Sequence, residues 1–185
     1  MYINPKFNIK MLHSSIIWLL PIVFIFHDFE EIMMMEVWIK KNSNFLQNKF
    51  PKMGYRILSS YKNLSTASFS FAVFEEFLIL VLSVFLAIQF QWYFLWVACF
   101  MAFSLHLIMH IIQWLIIRRY IPAIITSFLS LFYSCFAFSE LINYHLYKFI
   151  ELIGITLVGL VFMIINLYLI HKMAASFEKF LTDYH

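Results

Sequence analysis

Long apolar runs separated by short polar breaks set the pattern of this chain. A helix needs about 20 predominantly apolar residues to cross the hydrocarbon core of a bilayer. Five stretches reach that length, at about 15–39, 66–88, 92–117, 121–144 and 149–170. The pattern predicts an all-α integral membrane fold: one domain, an antiparallel bundle of about five transmembrane helices. Residues 40–65 read as the one sizeable loop, with Asn42, Asn44, Asn48, Pro51, Gly54, six basic residues and no acid. The other connections are a few residues long, so successive helices are expected to be antiparallel neighbours. The tail from His171 reads as a short surface helix. The first apolar run is not expected to be a cleaved signal peptide, because Asp28, Glu30 and Glu31 stand where a small-residue cleavage site should follow.

Composition supports a lipid-facing surface. Of 185 residues, 63% are hydrophobic and 12% charged, where a soluble domain carries about 25% charged residues. The formal net charge of +3 comes from basic residues in loops and ends, so no nucleic-acid partner is implied. Counted on alternate sides of the membrane, Lys and Arg divide into ten (six in 40–65, then Arg118, Arg119, Lys172, Lys179) and three (Lys6, Lys10, Lys148). The positive-inside rule then places the N-terminus outside and the C-terminus in the cytoplasm of a multi-pass cell-membrane protein. Trp18, Trp38, Trp92, Trp96 and Trp114 read mostly as interfacial anchors. Cys99 and Cys135 lie in apolar runs with neither metal-type spacing nor a disulfide framework.

Polar residues inside the apolar runs carry the chemistry. An ionisable group at the centre of a membrane helix costs on the order of 3 kcal/mol on insertion, so it usually has a function and a partner. The first run holds His27, Asp28, Glu30 and Glu31; the second Glu75 and Glu76; the third His106, His110 and Gln113. Spacings of i, i+3 and i+4 put His27, Glu30 and Glu31 on one helix face, and His106 with His110 on another. Glu75 and Glu76 are about 100° apart, so one of them is expected to point inward. At about 1.5 Å per residue, His27 lies roughly 17 Å from the outer end of its run, Glu31 roughly 22 Å, Glu75 and Glu76 roughly 18–20 Å, His106 roughly 20 Å and His110 roughly 25 Å. Three helices thus place polar groups in one layer, which points to a single shared site.

Imidazoles and carboxylates together form a ligand set for zinc, iron or manganese. The expected metal ligands are His27, Glu31, Glu76, His106 and His110. Glu30, or Glu75 as the spare member of the Glu75/Glu76 pair, is the expected general base. Tyr120, at the cytoplasmic mouth, is the expected contact for a substrate's polar head. The bland alternative is a metal-free cluster that handles protons or joins helices by hydrogen bonds.

The run His27-Asp28-Phe29-Glu30-Glu31 spells H-x-x-E-E, and His106 and His110 precede Tyr120-Ile121-Pro122-Ala123. In these motifs the chain resembles the HXXEE family of small bacterial membrane proteins, marked by H-x-x-E-E, a later histidine and Y-x-P-G. The resemblance points to His27, Glu30, Glu31, one of His106 and His110, Tyr120 and Pro122. It implies no particular reaction. Ala123 stands where the family has glycine, which argues against a positive-φ turn there. The Glu75-Glu76 pair more faintly resembles intramembrane glutamate-dependent proteases, but the arginine that should follow it is missing.

Three functions are open on these grounds. The first is a membrane metalloenzyme, a hydrolase or an oxidoreductase, acting on a lipid or lipophilic substrate with one or two divalent ions. The second is a cation or proton-coupled transporter, which at this size would need a homo-oligomer or an internal repeat; no repeat is visible. The third is a non-catalytic membrane subunit with a structural polar network.

Overall fold

The computed structural model describes residues 5–61 and 65–184, and they form six helices. These are α1 (Pro5–Lys49), α2 (Pro51–Tyr61), α3 (Thr66–Phe90), α4 (Tyr93–Ile117), α5 (Ile124–Asn143) and α6 (Phe149–Tyr184). Among the described residues, α3, α4, α5 and α6 are long and apolar enough to cross a membrane. α1 is not in that group: Asp28, Glu30 and Glu31 fall within one of its turns. Four of the other five helices pack against it. α1 touches α3, α4 and α5 as well as α2.

Two boundaries differ from the hydropathy reading. The expected loop at 40–65 is largely helical: α1 runs on to Lys49, and α2 folds back against it. Residues 62–64 of that stretch lie outside the described residues. Hydropathy locates lipid rather than helix ends, and no Gly or Pro interrupts 40–50. The turn into α2 is tight, because a Cβ on Gly54 would lie 2.6 Å from the carbonyl oxygen of Leu46. At the other end, the tail after His171 is no separate element but continues α6. Glu178 on that extension accepts hydrogen bonds from the Ser65 backbone N–H (2.9 Å) and the Ser68 hydroxyl (2.6 Å), tying the end of α6 to the start of α3.

Short connections also mislead about α6. It packs on α3 and α4 and makes no contact with α5, although few residues separate them. The crossing with α4 is close enough that a Cβ on Gly159 would lie 2.5 Å from the carbonyl oxygen of Ala98. α3 and α4 end on the left-handed residues Gln91 (φ 58°) and Arg118 (φ 55°), whose N–H groups return to Leu86 and Trp114 carbonyls.

The main core joins Ile17 and Leu20 of α1 to Val84 of α3, Phe100 of α4, Tyr133 of α5 and Ile155 of α6. Two of the five tryptophans are buried, Trp96 in this core and Trp38 in a smaller cluster with Leu46, Ile117 and Ile121. Trp96 is 2% exposed and Trp38 8%. Trp96 has a specific task. Pro21 has no N–H to give the carbonyl of Ile17 four residues back. The indole Nε1 of Trp96 donates to that carbonyl at 3.2 Å instead. The Tyr133 hydroxyl donates to the adjacent Ile16 carbonyl at 3.0 Å.

Ala123 is fully buried and adopts φ 64°, ψ 4°, so the positive-φ turn survives without its glycine. An L-residue in this region costs about 1–2 kcal/mol, while the methyl gains about 0.8 kcal/mol from burial. Ala123→Gly should therefore raise thermal stability by up to about 1 kcal/mol. A lowered melting temperature in detergent would show that the methyl contributes more than the strain removes.

Candidate metal centre

Three histidines converge where α1 meets α4. His27 is fully buried, His110 is 6% exposed and His106 is half-buried. Their ring centroids lie 5.3 Å (His27–His106), 5.0 Å (His27–His110) and 4.5 Å (His106–His110) apart. One ring nitrogen from each falls within 4.8 Å of the other two. The Nε2 atoms of His106 and His110 are 2.9 Å apart, and Glu31 Oε1 lies 3.3 Å from the same His110 nitrogen. Two ligands at about 2.0–2.1 Å from a tetrahedral ion stand roughly 3.3 Å apart. The 2.9 and 3.3 Å separations are of that order, and Glu31 meets the histidine group at His110.

The second layer fixes the ring of His27. Thr126 on α5 gives its hydroxyl hydrogen to Glu30 Oε2 at 2.6 Å. Its oxygen is then left to accept from His27 Nδ1 at 3.4 Å. A proton on Nδ1 leaves the Nε2 lone pair bare, and that nitrogen is buried without a hydrogen-bond partner. Metal-binding histidines are commonly oriented this way through their other nitrogen.

Glu30 is thereby committed. Besides Thr126 Oγ1, it accepts the Thr126 backbone N–H at 2.8 Å and the Tyr120 hydroxyl at 2.8 Å. The Thr126 amide is in the first turn of α5, whose N-cap, Ala123, offers no side-chain oxygen. Glu30 supplies from α1 the cap that the local sequence lacks, with its negative charge at the positive end of the helix dipole. All three bonds place Glu30 as a brace between α1 and α5. Tyr120 belongs to the same brace: its carbonyl also accepts from the Trp38 indole, and it lines neither of the cavities described next.

A cavity of about 370 Å³ opens beside the histidines, lined by Asp28, Glu31, Glu76, His106, His110 and Gln113 among others. The glutamate pair of α3 divides between two surroundings. Glu76 faces the cavity, whereas Glu75 turns to Asn166 of α6, whose Nδ2 donates to it at 3.1 Å. A second cavity of about 270 Å³ adjoins the first and shares Glu76, His106 and Leu167 with it; its other walls are almost wholly apolar, including Phe94, Phe103 and Phe162.

Two participants were missed in the sequence. Thr126 was unremarkable there; the signal was the absence of a capping side chain ahead of α5. Asp28, to which the sequence assigns no role, is 4% exposed with Oδ2 unpartnered.

Helices of membrane length around a buried cluster of histidines and carboxylates define an integral membrane protein with an internal polar site. The model of the family described as "Protein of unknown function with HXXEE motif" matches residues 18–138, well over half of the chain, and the protein belongs to that family. No curated protein and no solved structure matches it.

Proposed function

We propose that this protein is an integral-membrane metalloenzyme acting on a lipid or lipophilic substrate. The observation that carries the reading is the convergence of three histidine nitrogens within 4.8 Å, with Glu31 3.3 Å from one of them, at the wall of a cavity. His27, His106, His110 and Glu31 would hold a divalent ion, whether zinc, iron or manganese. Such an ion polarises a carbonyl or phosphoryl oxygen and lowers the pKa of water. Both hydrolysis and oxidation use a donor set of this kind.

The remaining roles follow from placement. Glu76 stands where the polar and apolar cavities meet, beside the ion-binding groups. Glu75 lines neither cavity and accepts from Asn166, which is not the placement of a general base. Glu30 and Tyr120 are positioning residues, holding α1, α5 and the His27 ring in register. An apolar cavity opening onto a polar site suits a substrate with a hydrocarbon part and a reactive head. In the membrane, the N-terminus would lie outside and the C-terminus in the cytoplasm.

Elemental analysis of the detergent-purified protein beside His27→Ala tests the reading. Wild type should hold about one or two ions per chain, largely lost in the variant. No bound metal in wild type, even after supplementation with zinc, iron and manganese, would sink the metalloenzyme and leave proton handling or helix packing in its place.

A further inference from the structure

We infer that Asp28 and Glu76, with Glu31 as the bridging carboxylate, form a second divalent-cation position beside the three histidines. The inference rests on the metal reading of the site and goes beyond it in assigning Asp28 and the number of ions.

Asp28 is 4% exposed, lines the 370 Å³ cavity, and keeps Oδ2 without a hydrogen-bond partner. A buried carboxylate oxygen left unsatisfied is expensive in either protonation state: ionised it lacks a donor, protonated it lacks an acceptor. A cation satisfies it without a proton. Position on the helix separates its task from that of its neighbour. Asp28 follows His27 by one residue, about 100° around α1, so the two cannot approach one ion in the same way. Glu76 reaches the same cavity from α3, and Glu31 lines it too, already 3.3 Å from His110. A carboxylate has two oxygens, and helical bundles use inward glutamates to bridge paired metals.

Charge balance points the same way. Asp28, Glu31 and Glu76 bring three carboxylates to the cavity, and no Lys or Arg lines it. Glu30 and Glu75 stand nearby, held by neutral donors that leave their charge uncancelled. One divalent ion at the histidines would leave negative charge in a low-dielectric interior, which a second ion would offset. Paired sites of this kind hold their ions roughly 3.5–4 Å apart, and the cavity has room for that separation.

The test loads the full-length, detergent-purified protein with manganese and combines elemental analysis with electron paramagnetic resonance. Wild type should hold two ions per chain and give the spectrum of a spin-coupled pair. Asp28→Asn, close to isosteric, should hold one ion with the spectrum of isolated manganese, and Glu76→Gln should do the same. Unchanged gel-filtration profiles and melting behaviour identify the variants as folded. One ion in wild type, or two in folded Asp28→Asn, overturns the second position and leaves the histidine site standing. No ion in wild type overturns both.

Discussion

With the proposed metal site, His110→Ala should abolish metal binding. His110 Nε2 is the corner of the donor set, 2.9 Å from His106 Nε2 and 3.3 Å from Glu31 Oε1. Removing it takes away one of the four proposed ligands and the nitrogen that both His106 and Glu31 approach. Affinity for zinc or manganese should fall by at least about 100-fold, equivalent to about 3 kcal/mol. The cleanest readout is the rise in melting temperature on adding metal, because a ligand at free concentration L that binds only the folded state stabilises it by RT ln(1 + L/Kd). Wild type should show that rise, and His110→Ala should lose it. Comparing each protein with and without metal removes the separate cost of the space left by the imidazole. An equal rise in both would place the ion elsewhere.

Glu30→Ala should cause the largest loss of stability among the site residues, about 2–4 kcal/mol. The substitution leaves the Thr126 N–H and the Tyr120 hydroxyl without their acceptor and uncaps α5. Tyr120 is 36% exposed, so water recovers part of its share. Thr126 would also lose the acceptor for its hydroxyl hydrogen, and with it the reason to accept from His27 Nδ1. Metal affinity should therefore weaken 10- to 100-fold although no ligand has been touched. A thermal or denaturant midpoint, measured beside metal content, checks both effects. Glu30→Ala with wild-type stability and strongly altered turnover would return Glu30 to the role of general base.

The sequence was informative where physics is local. Ser65 and Gln91 bound α3 close to where hydropathy starts and ends the second run, and α4 nearly coincides with the third. The face shared by His27, Glu30 and Glu31 follows from helical periodicity alone. It remained silent where partners are remote. The residues that fix Glu30 lie 90 and 96 positions away, and the choice between Glu75 and Glu76 depends on Asn166, 91 positions from Glu75. The extension of α1 beyond its apolar run was hidden for a different reason: polar residues such as Lys40, Lys41 and Asn44 sustain a helix as well as apolar ones but carry no signal of burial. Likewise a tryptophan reads as an interfacial anchor until a missing backbone donor, here at Pro21, gives its indole an interior task.

That exchange between Pro21 and Trp96 bears on biosynthesis. α1 is made well before α4, and until α4 arrives the Ile17 carbonyl has no donor from its own helix. In hydrocarbon such a group is costly, and the acids of α1 make it a poor span by itself. The first helix is thus the one least able to settle in lipid alone. It should dwell at the insertion machinery or the bilayer edge until Trp96 has been synthesised, so chains truncated before Trp96 should remain extractable where longer ones do not.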